Sequence, residues 1–127
     1  MDFNKVMKKM NIELVITFGS QVSGKTNLKS DTDIGILRNK NLSLEERSQL
    51  TELLAKEYKL NEDKIDLVEI KNASPLLRFA ISRGGKLLFG NKELFNRFKI
   101  LAWRQYLDTA RLREVRKKIL KKWVEAI

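Results

Sequence analysis

Between the runs ELVITF (residues 13–18) and Asp33-Ile-Gly-Ile-Leu37 the chain has almost nothing that could pack. Both runs read as strands: the first is rich in branched and aromatic residues and stops at Gly19. After Lys25-Thr26 the sequence is NLKSDTD, and it enters the second strand by about Ile34. Leu28 is the one large apolar residue of that stretch. A crossover between parallel strands needs a dozen or more residues, most of them helical. A packed helix needs an apolar stripe, which a lone leucine does not supply. The connection therefore argues against a strand–helix–strand crossover at this point in the chain.

This bears on FGSQVSGKT, Phe18–Thr26, which fits the phosphate-binding pattern G-x-x-x-x-G-K-[ST] letter for letter. That loop works by opening a helix whose N-terminus faces the phosphates and which then crosses the sheet. Its magnesium-organising Asp usually ends an apolar strand, whereas Asp31 and Asp33 begin one. The match is read as accidental, with a P-loop nucleotide hydrolase depending on Lys25 kept as an alternative.

A second pattern starts at the same glycine. In an extended strand, residues two apart share a face. Asp31 and Asp33 thus aim at one point while Ile34 and Ile36 face the other way. Adjacent carboxylates repel and favour a divalent cation between them. The chain has no histidine and no cysteine, so disulfides, thiolate zinc sites and Ser-His-Asp chemistry are excluded. Any metal must be a hard, oxygen-bound cation, Mg²⁺ or Mn²⁺, and a pair of such ions can clamp the two oxygens of an in-line displacement. Gly19-Ser20 supplies a tight turn, backbone donors and a hydroxyl for phosphates. KIDLVEI (64–70) reads as a third strand, and Asp66 interrupts its apolar pattern. Burying a carboxylate there needs a partner, so Asp66 is the candidate third ligand and the aid to deprotonating an attacking hydroxyl.

The rest of the chain reads as helix 3–11, a helix from Ser43 to about 59 begun by a Ser43/Glu46 capping box, and a helix from Pro75 to about Arg83 ended by Gly84-Gly85. KLLF (86–89) is a fourth strand, and from Lys92 the pattern is helical with one break. The order gives an α/β (α+β) class: a small mixed β-sheet with helices packed on it and a long C-terminal helical tail. The 127 residues, 43% apolar, suit one domain, with a core at 1–94 and a basic helical extension at 95–127. No apolar run reaches the roughly 18 residues that span a bilayer, and MDFNKVMKKMNIE carries no signal-peptide pattern. A cytoplasmic location without membrane contact is expected.

Charge is uneven. Of a net +10, residues 95–127 carry ten Lys/Arg against three Asp/Glu. Leu112, Val115, Ile119 and Trp123 fall on one helical face among these basic residues. Packing on the chain's own core is the first expectation for this helix; a partner-binding helix is the second and an RNA-contacting face the third. A homo-oligomer is left open.

Phe18-Gly19-Ser20, the ten-residue gap, Asp31-x-Asp33 before an apolar strand, and Asp66 on a later strand together resemble the minimal nucleotidyltransferases of the polymerase-β-like superfamily. The resemblance covers roughly residues 10–90. It implies the nucleotidyltransferase fold and Mg²⁺-dependent transfer of AMP from ATP to an acceptor hydroxyl. It implies catalytic and metal-binding roles for Asp31, Asp33 and Asp66, and nucleotide binding at Gly19, Ser20, Ser23 and Lys25. Short members of this kind are often antitoxins of a HEPN-domain toxin, some of which add AMP to a toxin tyrosine. Where family members often carry an Arg in G-S-x-A-R-G, this chain has Ser23, and Lys25 is the candidate substitute. A binding-only antitoxin or nucleic-acid-associated module with a vestigial site is the alternative from another class.

Overall fold

The computed structural model describes residues 2–19 and 31–127. Helix α1 (Phe3–Lys9) leads into β1 (Leu14–Phe18) and β2 (Thr32–Leu37). There follow α2 (Leu44–Tyr58), β3 (Ile65–Glu69), α3 (Pro75–Gly84), β4 (Lys86–Gly90), α4 (Lys92–Asp108) and α5 (Ala110–Glu125). Each strand and helix expected from the sequence is present, with bounds shifted by a residue or two.

The four strands form one sheet in the order β3-β2-β1-β4. Strand β2 runs antiparallel to β1, with Phe18 opposite Asp33, and β4 runs antiparallel to β1 on its other side. Strands β2 and β3 are parallel, and the 15-residue α2 lies between them in sequence as their crossover. The apolar-poor segment before β2 thus joins antiparallel neighbours, which need no crossover helix.

Both sheet faces are covered. On one, Val15, Ile34, Ile36 and Leu67 pack with Phe3 and Met7 of α1 and Leu50 and Leu54 of α2. On the other, Leu14, Ile16 and Phe18 pack with Ile70, Ile81 of α3, and Phe95, Phe98 and Ala102 of α4. Strand alternation produces this division: odd and even positions of β1 and β2 feed opposite layers. Position 94/95 falls inside α4, whose buried side chains belong to the second layer.

The local signals act as their chemistry dictates. Ser43 Oγ accepts from Glu46 N at 3.1 Å, and the Glu46 carboxylate accepts from Ser43 N at 3.0 Å. Pro75 occupies the first turn of α3, and Ser74 Oγ accepts from Leu77 N. The C-terminal helix departs from expectation. Helix α5 has no buried residue, so it does not pack on the chain's own core.

Candidate active site

Strand β2 begins at Thr32, immediately after Asp31, and Asp33 is its second residue. Ile34 and Ile36 enter the α1/α2 layer, so Asp33 points to the opposite face, the α3/α4 side. In the parallel register Asp33 lies beside Asp66 of β3. Adjacent strands are about 4.8 Å apart, and in-register residues of a parallel pair project to the same side. Two carboxylates thus stand side by side at the end of the sheet where β1 finishes. Burial holds the Asp33 carboxyl above the usual carboxylate range, and the charges of Asp66 and Asp31 raise it further.

Gly19 adjoins this pair. Its φ is 88°, in the region that favours glycine, and a Cβ there would sit 2.7 Å from Asp33 Oδ2. Glycine is needed twice over: for the backbone turn after β1 and for the close approach to a carboxylate. On its other side, Thr17 Oγ1 donates to the Asp33 carbonyl at 3.4 Å.

The structure brings together Asp33, Asp66 and Gly19, with Asp31 near enough to act electrostatically on Asp33. Ser20, Ser23 and Lys25 lie outside the described residues. One sequence-based reason needs correction. Asp66 was expected to be a buried carboxylate in need of a partner, but β3 is an edge strand and Asp66 is exposed. Its significance rests on its register with Asp33.

Among the described residues no three His, Cys, Asp or Glu side chains are gathered as a finished metal cage. The donor set nevertheless suits a hard cation. Asp33 is crowded by two like charges, and a divalent ion would relieve that repulsion through oxygen ligands alone.

Sequence reasoning missed the arginines that anchor β3 from its far end. Arg47 of α2 donates to the Leu67 carbonyl at 2.9 Å and pairs with Glu69 at 3.4 Å, while Glu69 accepts from Leu42 N at 2.6 Å. Arg78 of α3 donates to the carbonyls of Ile70 and Lys71 and to Gln105 of α4. These contacts hold β3 in register. Each arginine looks in the sequence like an ordinary solvated helix charge, so no local signal distinguishes it.

Fold and site define a nucleotidyltransferase, and residues 3–94 match the family described as Polymerase beta, Nucleotidyltransferase. The chain belongs to that family and is a nucleotidyltransferase. Its relatives include the protein adenylyltransferase MntA of Shewanella oneidensis, 32% identical over 85% of this chain and 81% of the relative. The protein adenylyltransferase MntA of Aphanizomenon flos-aquae is 27% identical over 84% of this chain and 74% of its own length. Among solved structures, a toxin–antitoxin complex with AMP-PNP contains a chain that is 25% identical, with a TM-score of 0.71. The match covers 94% of this chain and 99% of that one. The P-loop alternative is overturned, because the fold is of the polymerase β type and β2 returns antiparallel beside β1.

Proposed function

We propose that the protein transfers AMP from ATP to a hydroxyl on a partner protein, a tyrosine of a HEPN-type toxin, and thereby acts as that toxin's antitoxin. The observation that carries this reading is the register of Asp33 beside Asp66, with Gly19 against Asp33. The MntA relatives named as protein adenylyltransferases support the protein acceptor, and the AMP-PNP complex supports ATP and a toxin partner.

Asp31, Asp33 and Asp66 would hold Mg²⁺ or Mn²⁺, which supplies charge neutralisation at the triphosphate. Gly19 lets the nucleotide approach the backbone at the end of β1, and Ser20, Ser23 and Lys25 would bind its phosphates. The acceptor oxygen attacks the α-phosphorus, forming the new O–P bond as the bridging bond to the β-phosphate breaks. Pyrophosphate leaves with the electron pair of that bond. The acceptor's proton passes to the Asp66 carboxylate or to water, since the chain has no histidine to take it.

ATP labelled separately at the α- and γ-phosphates tests this, with wild type run beside Asp31→Asn/Asp33→Asn in lysate of the source cell. α-Label is expected on a protein with wild type alone, mapping to a tyrosine that carries AMP and abolished by EDTA. Label transfer that survives the double substitution, or γ-phosphate release without α-transfer, would reject the proposal. The exposed α5 favours one second reading, neutralisation by binding alone. In that case the double variant still silences the partner.

A further inference from the structure

We infer that the exposed face of α5, continued onto the distal half of α4, is the docking surface for the acceptor protein, and that it seats in an apolar groove with a carboxylate at its centre and an acidic rim. The inference rests on the reading that the acceptor is a protein.

Thirteen large apolar residues are exposed among the described residues, and eleven of them lie between Ile100 and Ile127. On α5, Leu112, Val115, Ile119 and Trp123 recur at three- and four-residue spacing and are 57, 46, 50 and 71% exposed. Trp103 and Leu107 extend apolar surface along α4. A 16-residue helix that buries nothing is marginal by itself in water, and a continuous apolar stripe of this size marks an interaction site.

The root of α5 is fixed. The Arg113 guanidinium lies 3.9 Å from the centroid of the Tyr106 ring and donates to Thr109 Oγ1 and the Tyr106 carbonyl. Tyr106 stacks on Phe79 of α3 at 4.0 Å. Helix α3 packs on the sheet face that carries Asp33, so the docking helix is rooted on the active-site side.

Charge selects the occupant. Helix α5 carries seven Lys/Arg and two Asp/Glu, so a second copy would bring two cationic rims together. Arg116 adds a sharper constraint. It is four residues from both Leu112 and Leu120 and seven from Trp123, spacings that put it inside the apolar stripe. A lipid surface would have to accommodate a guanidinium at the middle of its apolar contact. A protein groove can meet it with a carboxylate, preferably bidentate. RNA would engage the basic rim, with Trp103 and Trp123 for stacking, and leave the aliphatic residues Leu107, Leu112, Val115 and Ile119 in water.

The test uses the full chain in the Asp31→Asn/Asp33→Asn background, with p-benzoylphenylalanine in place of Ile119, irradiated in the source cell. The expected result is an adduct with one protein, the cross-linked peptide lying beside Asp or Glu, and loss of that adduct with Arg116→Glu. The same protein should be the α-labelled acceptor. With the native site, Ile119→Asp, Trp123→Asp and Arg116→Glu should each raise the KM for it at least tenfold at unchanged kcat. Leu44→Asp, on exposed α2 surface, should leave KM unchanged, and all four variants should keep the wild-type urea midpoint. An adduct with a second copy, lipid or RNA overturns the inference, as does no adduct or an unchanged KM. An adduct without α-transfer rejects only the catalytic reading; α-transfer with unchanged KM rejects only the docking surface.

Discussion

At the scale of single residues, the site depends on contacts too close to tolerate extra atoms. Gly19 places its backbone where a methyl group would meet Asp33 Oδ2 at 2.7 Å, on a φ of 88° that side chains rarely adopt. Gly19→Ala should therefore act on stability and chemistry together. The strained backbone costs about 1–2 kcal/mol, and displacement of Asp33 should lower kcat/KM about a hundredfold. Urea denaturation and steady-state transfer with ³²P-labelled ATP measure the two effects. A variant with wild-type kcat/KM would show that the turn does not position Asp33. Asp66 illustrates how far a residue can be read without its neighbours. Its break in the apolar pattern was visible in KIDLVEI, but its exposure and its place beside Asp33 were not, because both belong to the β2–β3 pairing.

Elements show where local rules suffice and where they stop. The α2 capping box was legible from Ser43 and Glu46 because it involves neighbours three residues apart. Glu46 has a second task that the sequence did not reveal. Its carboxylate binds the buried Arg38 guanidinium at 2.7 and 2.9 Å, and Arg38 also donates to the carbonyls of Met10, Lys40 and Asn41. The pair joins the exit of β2 to the start of α2 and the end of α1. The hydrogen bonds from Arg38 and then from Ser43 N hold Glu46 down at about 2, below its usual value of about 4.3. A depressed carboxylate stabilises the fold fully above its unfolded value, and the contribution disappears as pH falls toward the folded one. Glu46→Gln should therefore unfold at lower urea than wild type at pH 7, with the two midpoints converging between about pH 4.3 and about 2. Midpoints separated by a constant interval across that window would mean that the ion pair contributes nothing to the difference.

For the whole molecule, the two signs of charge are concentrated in different places. The sheet end carries the carboxylates that would hold metal and nucleotide, while residues 95–127 hold most of the excess positive charge. A cationic docking surface should accelerate encounter with an acidic partner, an effect screened by salt over a Debye length of about 10 Å at 0.1 M. Between ~0.05 and ~0.5 M salt, stopped-flow association with the acceptor should slow about tenfold, with a much smaller change in the dissociation rate. An association rate indifferent to salt would remove charge from the account of docking. Among the described residues no helix is long and apolar enough to cross a membrane, and the exposed apolar residues of α4 and α5 are interleaved with charge throughout.

The sequence by itself determined the elements, their order and the lack of a crossover helix between β1 and β2, while their antiparallel pairing came from the structure. The first three follow from periodicity, caps and a connection too poor in apolar residues to cross the sheet. It also determined that Asp31 and Asp33 lead a strand whose isoleucines face away from them, since alternation needs no tertiary partner. Only the tertiary structure decided that Asp66 stands beside Asp33, because a register between strands separated by α2 is set by packing and by arginines distant in sequence. The same holds for α5. Its apolar stripe is plain in the sequence, but stripes that bury against a core and stripes that wait for a partner obey one period. Which of the two α5 is depends on where the core ends, and α3 and α4 have already covered that sheet face.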